Sequence, residues 1–73
     1  MKGLKGNLEK ANELVIEIGV EKIWEVDVSE YTIRILAYND LGVEEKALAL
    51  GFAAEDATHF KRDNQTIVIA LSK

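Results

Sequence analysis

Apolar residues at Leu8, Ala11, Leu14, Val15 and Ile18 follow helical spacing and fall on one stripe, which predicts a helix over residues 8–18. Asn7 precedes the stripe as a favoured N-cap, and Glu9 sits in the first turn, where negative charge suits the helix dipole. Met1–Gly6 then reads as a mobile lead-in. Gly19 ends the helix by supplying a left-handed position, and Val20 is expected to fold back as the apolar partner of that cap. Glu9, Glu13, Glu17 and Glu21 recur every four residues and form an acidic stripe on the opposite side.

The period then changes from helical to alternating. In Lys22–Val28, Trp24, Val26 and Val28 alternate with Ile23, Glu25 and Asp27; in Tyr31–Tyr38, Tyr31, Ile33, Ile35 and Ala37 share a face. A two-residue turn at Ser29-Glu30 would set Val28 against Tyr31, Val26 against Ile33 and Trp24 against Ile35, all on one side. Asp40 caps a second helix through Leu41, Val43, Ala47, Leu48 and Leu50, closed by Gly51 and the apolar Phe52. A strand Ala57–Arg62 then turns at Asp63-Asn64 into Gln65–Leu71, pairing Phe60 with Ile67 and Thr58 with Ile69.

Each half thus reads helix, glycine, apolar residue, strand, turn, strand. Thr32-Ile33-Arg34-Ile35 aligns with Thr66-Ile67-Val68-Ile69, although an αββ unit is common enough for the likeness to be coincidence. The fold class expected is α+β: a two-layer tandem αββαββ domain with two helices on one face of a four-stranded antiparallel sheet. The second and fourth strands are apolar on both faces and belong in the centre, which gives the order 1-2-4-3.

With 73 residues the chain is one small domain, and 48% hydrophobic content is too high for a disordered segment. There is no cysteine, hence no disulfide or thiolate metal site. No apolar run approaches the roughly 20 residues that span a bilayer, so a soluble cytoplasmic protein is expected. A core of this size supplies about 3–5 kcal/mol, which makes self-association a standard remedy. The net charge of −4 disfavours general affinity for nucleic acid or anionic membrane.

Candidate chemistry is sparse. The five glycines have cap or linker spacing, not that of a phosphate loop, and Ser29 and Ser72 lack a neighbouring base. His59 is the sole histidine; strand spacing directs it away from Asp56 and Asp63, and it reads as a surface residue. Glu44-Glu45 and Glu55-Asp56 diverge as adjacent residues do, with nothing apolar beside them to raise a carboxyl pKa. The expectation is no enzyme, no cofactor and no metal.

Surfaces carry more information. With the helices over one face, the open face of the sheet would present Ile23, Leu36, Tyr38, Val68 and Ala70 beside Glu25, Thr32, Arg34, His59 and Thr66. A small monomer rarely leaves such an apolar patch in water, so Ile23, Arg34, Leu36, Tyr38, Val68 and Ala70 form the candidate protein interface. The partner would be another protein or a second copy. The secondary candidate is the acidic surface of Glu9, Glu13, Glu17 and Glu21, which would suit a basic partner. Lys61-Arg62, with Lys22 and Arg34, is the basic counterpart. Nucleic-acid readers join such charges to exposed aromatics, and only Tyr38 is expected on the open face, because Trp24, Tyr31, Phe52 and Phe60 are claimed by the core or caps.

The segments Glu30-Tyr31-Thr32-Ile33-Arg34-Ile35-Leu36 and Phe60-Lys61-Arg62-Asp63-Asn64-Gln65-Thr66-Ile67-Val68-Ile69 resemble hairpins in short α+β accessory proteins of bacteriophages and mobile elements. The resemblance implies a small, cofactor-free protein, some members of that class inhibiting host factors or defence nucleases by binding them, as anti-CRISPR proteins do. It transfers no functional residue. The tandem αββ order is also similar to the core of LAGLIDADG homing endonucleases. This chain is far shorter and lacks their acidic Gly-Asp-Gly-type motif, so that activity is not implied.

Overall fold

The computed structural model describes residues 3–69; Ala70, expected on the open face, lies outside the described residues, as do Leu71 and Ser72. The first helix, α1, spans Leu4–Ile18 and so starts four residues before the predicted boundary. Asn7 is not its cap. It lies inside the helix on the buried stripe Asn7, Ala11, Leu14, Ile18, its N–H bonded to Gly3 O at 3.1 Å. Its amide is buried because it has partners across the chain: Nδ2 donates to Ser29 O at 2.8 Å, and Oδ1 accepts from Asn64 Nδ2 at 3.4 Å. The lead-in expected over Met1–Gly6 is therefore helical from Leu4 onward.

Gly19 closes α1 at φ +114°, as a glycine signal requires, but Val20 does not fold back; it is exposed in a 3-10 turn, Val20–Lys22. Glu21 belongs to that turn, so the four-residue glutamate spacing leaves the helix after Glu17.

β1 (Ile23–Val28) and β2 (Ile33–Ala37) pair antiparallel with Val28 opposite Ile33 and Val26 opposite Ile35. The register is two residues away from the one expected, because the connection is four residues long. Ser29 Oγ accepts the N–H groups of Tyr31 and Thr32, and Ser29 N–H donates to Thr32 O at 2.9 Å, which closes a side-chain-supported turn. A shift of two keeps the faces and releases Tyr31 into solvent. A bulge between Ile23 and Glu25 then reverses the face at the strand's start. Ile23 comes opposite Ala37 and packs against the core, while Trp24, expected there, is 57% exposed.

α2 (Leu41–Ala49) is capped as its sequence suggests, with Asp40 accepting the Gly42 N–H at 2.7 Å. At its other end Gly51 N–H reaches Leu48 O and Phe52 N–H reaches Ala47 O, both at 3.0 Å, with Gly51 at φ +94° and Phe52 buried. This is a complete Schellman closure. A two-residue strand not anticipated from the sequence, β3 (Ala53–Ala54), pairs with β4 (His59–Arg62), which turns at Asp63-Asn64 into β5 (Gln65–Ile69) with Phe60 opposite Ile67.

Among the described residues the sheet is five-stranded and mixed, in the order β1-β2-β5-β4-β3, with β2 and β5 parallel in register Ile35 to Ile67. This corrects the four-stranded antiparallel sheet of order 1-2-4-3. The physical reason is β3: it adds one reversal of chain direction between α2 and β5, and that reversal turns β5 parallel to β2. Ile33, Ile35, Ala37, Phe60, Ile67 and Ile69 on one face meet Ala11, Leu14 and Ile18 of α1 and Val43 and Ala47 of α2 in a single core. α1 packs over β1 and β2, and α2 over β3 and β5.

Candidate protein-binding surfaces

The register defines the open face row by row. One row runs Glu25, Leu36, Val68, His59 and the next runs Asp27, Arg34, Thr66, Lys61. Leu36 and Val68 are neighbours at the centre, half-buried, and Tyr38 beyond β2 is half-buried too. Arg34 is exposed on the same face. The apolar part of this face is thus smaller than expected: the bulge removes Ile23 to the helix side, and Ala70 is outside the described residues. Acidic groups stand on β1, and His59 and Lys61 on β4.

His59 does not diverge from Asp56. The Asp56 carboxylate curls the preceding loop by accepting Thr58 N–H at 2.8 Å and His59 N–H at 2.9 Å, and the same oxygen lies 3.1 Å from His59 Nδ1. The Thr58 N–H first, and the imidazole next, pull the Asp56 pKa down to about 2. Thr58 Oγ1 also approaches Nδ1, at 2.9 Å, so two side chains meet at one ring nitrogen. Asp63 lies at the other end of β4. Among the described residues no three His, Asp or Glu side chains converge as metal ligands.

Glu9, Glu13 and Glu17 are exposed on α1, and Glu21 is exposed beyond it. Glu13 and Glu17, with Lys10 and Leu14, form one wall of a groove of about 450 Å³ whose other wall is Leu50, Arg62, Asp63 and Gln65. Arg62 is committed to structure there. Its guanidinium bonds Leu50 O and Gln65 Oε1, and sits 4.6 Å above the Phe52 ring. Lys22 pairs with Asp40 at 3.4 Å across the α2 N-terminus; the Gly42 N–H, more than this pair, lowers the Asp40 pKa. Lys61 alone of the expected basic group stands with Arg34 on the open face, so the four cations do not form one patch.

Further exposed apolar side chains stand along the β1 edge. The groove turns the Lys10–Glu17 flank of α1 toward β4 and β5. Helical spacing then places Leu4, Leu8 and Val15 on the opposite flank, above β1. Val26 is on the same side of the sheet, opposite the buried Ile35, yet it is 39% exposed because β1 is the sheet's edge. Leu4 at 49% and Leu8 at 50% form a seam with Val26 on this side, whereas the bulge takes the exposed Trp24 off it. Alternation in the sequence assigns Trp24 to the core, and no residue in the bulge announces the extra position.

Among the described residues no helix is long and apolar enough to cross a membrane. No protein-family model matches the chain, and comparisons with curated proteins and with solved structures find no match either.

Proposed function

We propose that the chain is a non-enzymatic protein-binding module, of the kind that small phage-type accessory proteins use to inhibit a host factor. The observation that carries this reading is apolar surface exposed along an edge strand: the seam of Leu4, Leu8 and Val26 on the helix side, and Trp24 at the bulge. Tryptophan is enriched at binding hot spots, and several apolar side chains exposed along one edge are costly to keep in water without a partner. The hairpin resemblance to accessory proteins supports the inhibitory role.

Affinity capture from a lysate of the source cell tests it, using the native chain and a Trp24→Ser/Val26→Ser variant. The expected result is a protein retained by the native chain and lost by the folded variant. Equal retention would move the interface away from the seam.

A second reading rests on Leu36 and Val68, paired at the centre of the open face. There a second copy could pack face to face, the acids of one β1 over His59 and Lys61 of the other β4. Sedimentation equilibrium separates the two: Leu36→Glu abolishes self-association under this second reading and leaves partner capture intact under the first.

A further inference from the structure

We infer that the outer edge of β1 takes up an extended, basic segment of a partner protein by strand addition. This rests on the reading of the chain as a protein-binding module and names the chemistry of what it binds. β1 is six residues long and terminates the sheet, whereas the opposite edge, β3, is only two residues, Ala53–Ala54. Among the described residues no strand neighbours β1 on its outer side, so its outward N–H and C=O groups are a template for pairing.

Side-chain chemistry then defines the occupant. On the open face an added strand would run beside Glu25 and Asp27, both exposed, neither in an ion pair among the described residues. On the helix side it would run beside Val26 and Val28, with the Leu4 and Leu8 flank of α1 above. A segment alternating Lys or Arg with apolar residues meets both faces at once.

A second copy of this chain does not. Antiparallel pairing of β1 with another β1 places residues of the same face opposite one another, and Glu25 and Asp27 would meet the same two acids. The net charge of −4 adds long-range attraction for a basic segment.

The test is a titration of the ¹⁵N-labelled chain with two capped hexapeptides, one alternating lysine and valine, the other glutamate and valine. The lysine peptide should shift the amides of Ile23–Val28 and slow their hydrogen exchange, binding at least about tenfold more tightly than the glutamate peptide. A Glu25→Lys/Asp27→Lys variant, shown to be folded by circular dichroism, should reverse that preference. Equal affinities, no reversal, shifts centred on Glu9, Glu13 and Glu17, or no binding at millimolar peptide would each overturn the inference. So would a homodimer by sedimentation in which the Ile23–Val28 amides become protected. Should the lysine peptide fail while Trp24→Ser/Val26→Ser still abolishes partner capture, the binding module stands and only the basic-strand assignment falls.

Discussion

Asn64 donates its side-chain amide to Asn7 Oδ1, at 3.4 Å, across 57 positions of chain. The same Asn64 group reaches Tyr31 O at 2.9 Å, and Asn7 Nδ2 reaches Ser29 O at 2.8 Å. Two asparagines thereby tie the first turns of α1 to the turn of each hairpin, and Ile33 N–H, bonded to Asn64 O at 3.0 Å, joins the hairpins side by side.

Asn7→Ala should therefore destabilise the chain by roughly 1–3 kcal/mol in urea unfolding, because it removes two partly buried hydrogen bonds made by a buried side chain. Asn64→Ala, at a less buried position, should cost less. The double variant should cost less than the sum of the two, since both remove the same link.

The two closing glycines should differ. Gly51 lies at φ +94°, and a methyl group added there would have room, its nearest neighbour being Arg62 Cδ at 3.7 Å. Gly51→Ala should cost about 1 kcal/mol, from backbone conformation alone. Gly19 combines φ +114° with ψ 118°, outside the left-handed helical well, and a methyl there would sit 3.2 Å from the Glu21 carboxylate. Gly19→Ala should cost about 2 kcal/mol. Equal costs in thermal unfolding would contradict the different closures of the two helices.

Acid should loosen the loop before β4. The Asp56 carboxyl has its folded pKa lowered from 3.8 to about 2, so its contribution to stability is complete above about pH 4 and is lost as pH falls toward 2. The group is exposed, and the effect is local. An NMR titration should give a midpoint near 2 for Asp56, and Asp56→Asn should remove the corresponding acid-dependent shift of the Thr58 amide.

Trp24 is the only tryptophan, and its exposure makes it a reporter. Native fluorescence should already be that of a solvated indole, moving to shorter wavelength only when a partner covers the bulged end of β1. Trp24→Ser should change stability by less than about 1 kcal/mol. Ile35→Ala, at a fully buried position, should cost about 2–5 kcal/mol. A large loss from Trp24→Ser would mean that the indole is packed and the bulge misplaced.

Local chemistry was enough for several elements. Asp40, Gly51 and Phe52 announce α2 and its closure, because a cap is satisfied by atoms within a few residues. Asp63-Asn64 and the alternation around it set the pairing of Phe60 with Ile67, the turn being short and the faces unambiguous. The split of Ile33, Ile35, Ile67 and Ile69 to the core face was legible for the same reason: alternation has a period of two, and a slip of two in the first hairpin does not change it.

Three other features depended on contacts distant in sequence. Asn7 looks like a cap in isolation and becomes a core residue because Ser29 and Asn64 supply its hydrogen bonds from the far ends of two hairpins. β3 has only two alanines, with no periodicity of its own, and exists because β4 offers it an edge; its added reversal makes the central strands parallel. The exposure of Trp24 follows from a one-residue bulge that exchanges Trp24 for Ile23 at the core. A pattern of alternation cannot contain its own interruption when either residue is apolar, so the face on which the indole stands was settled by packing.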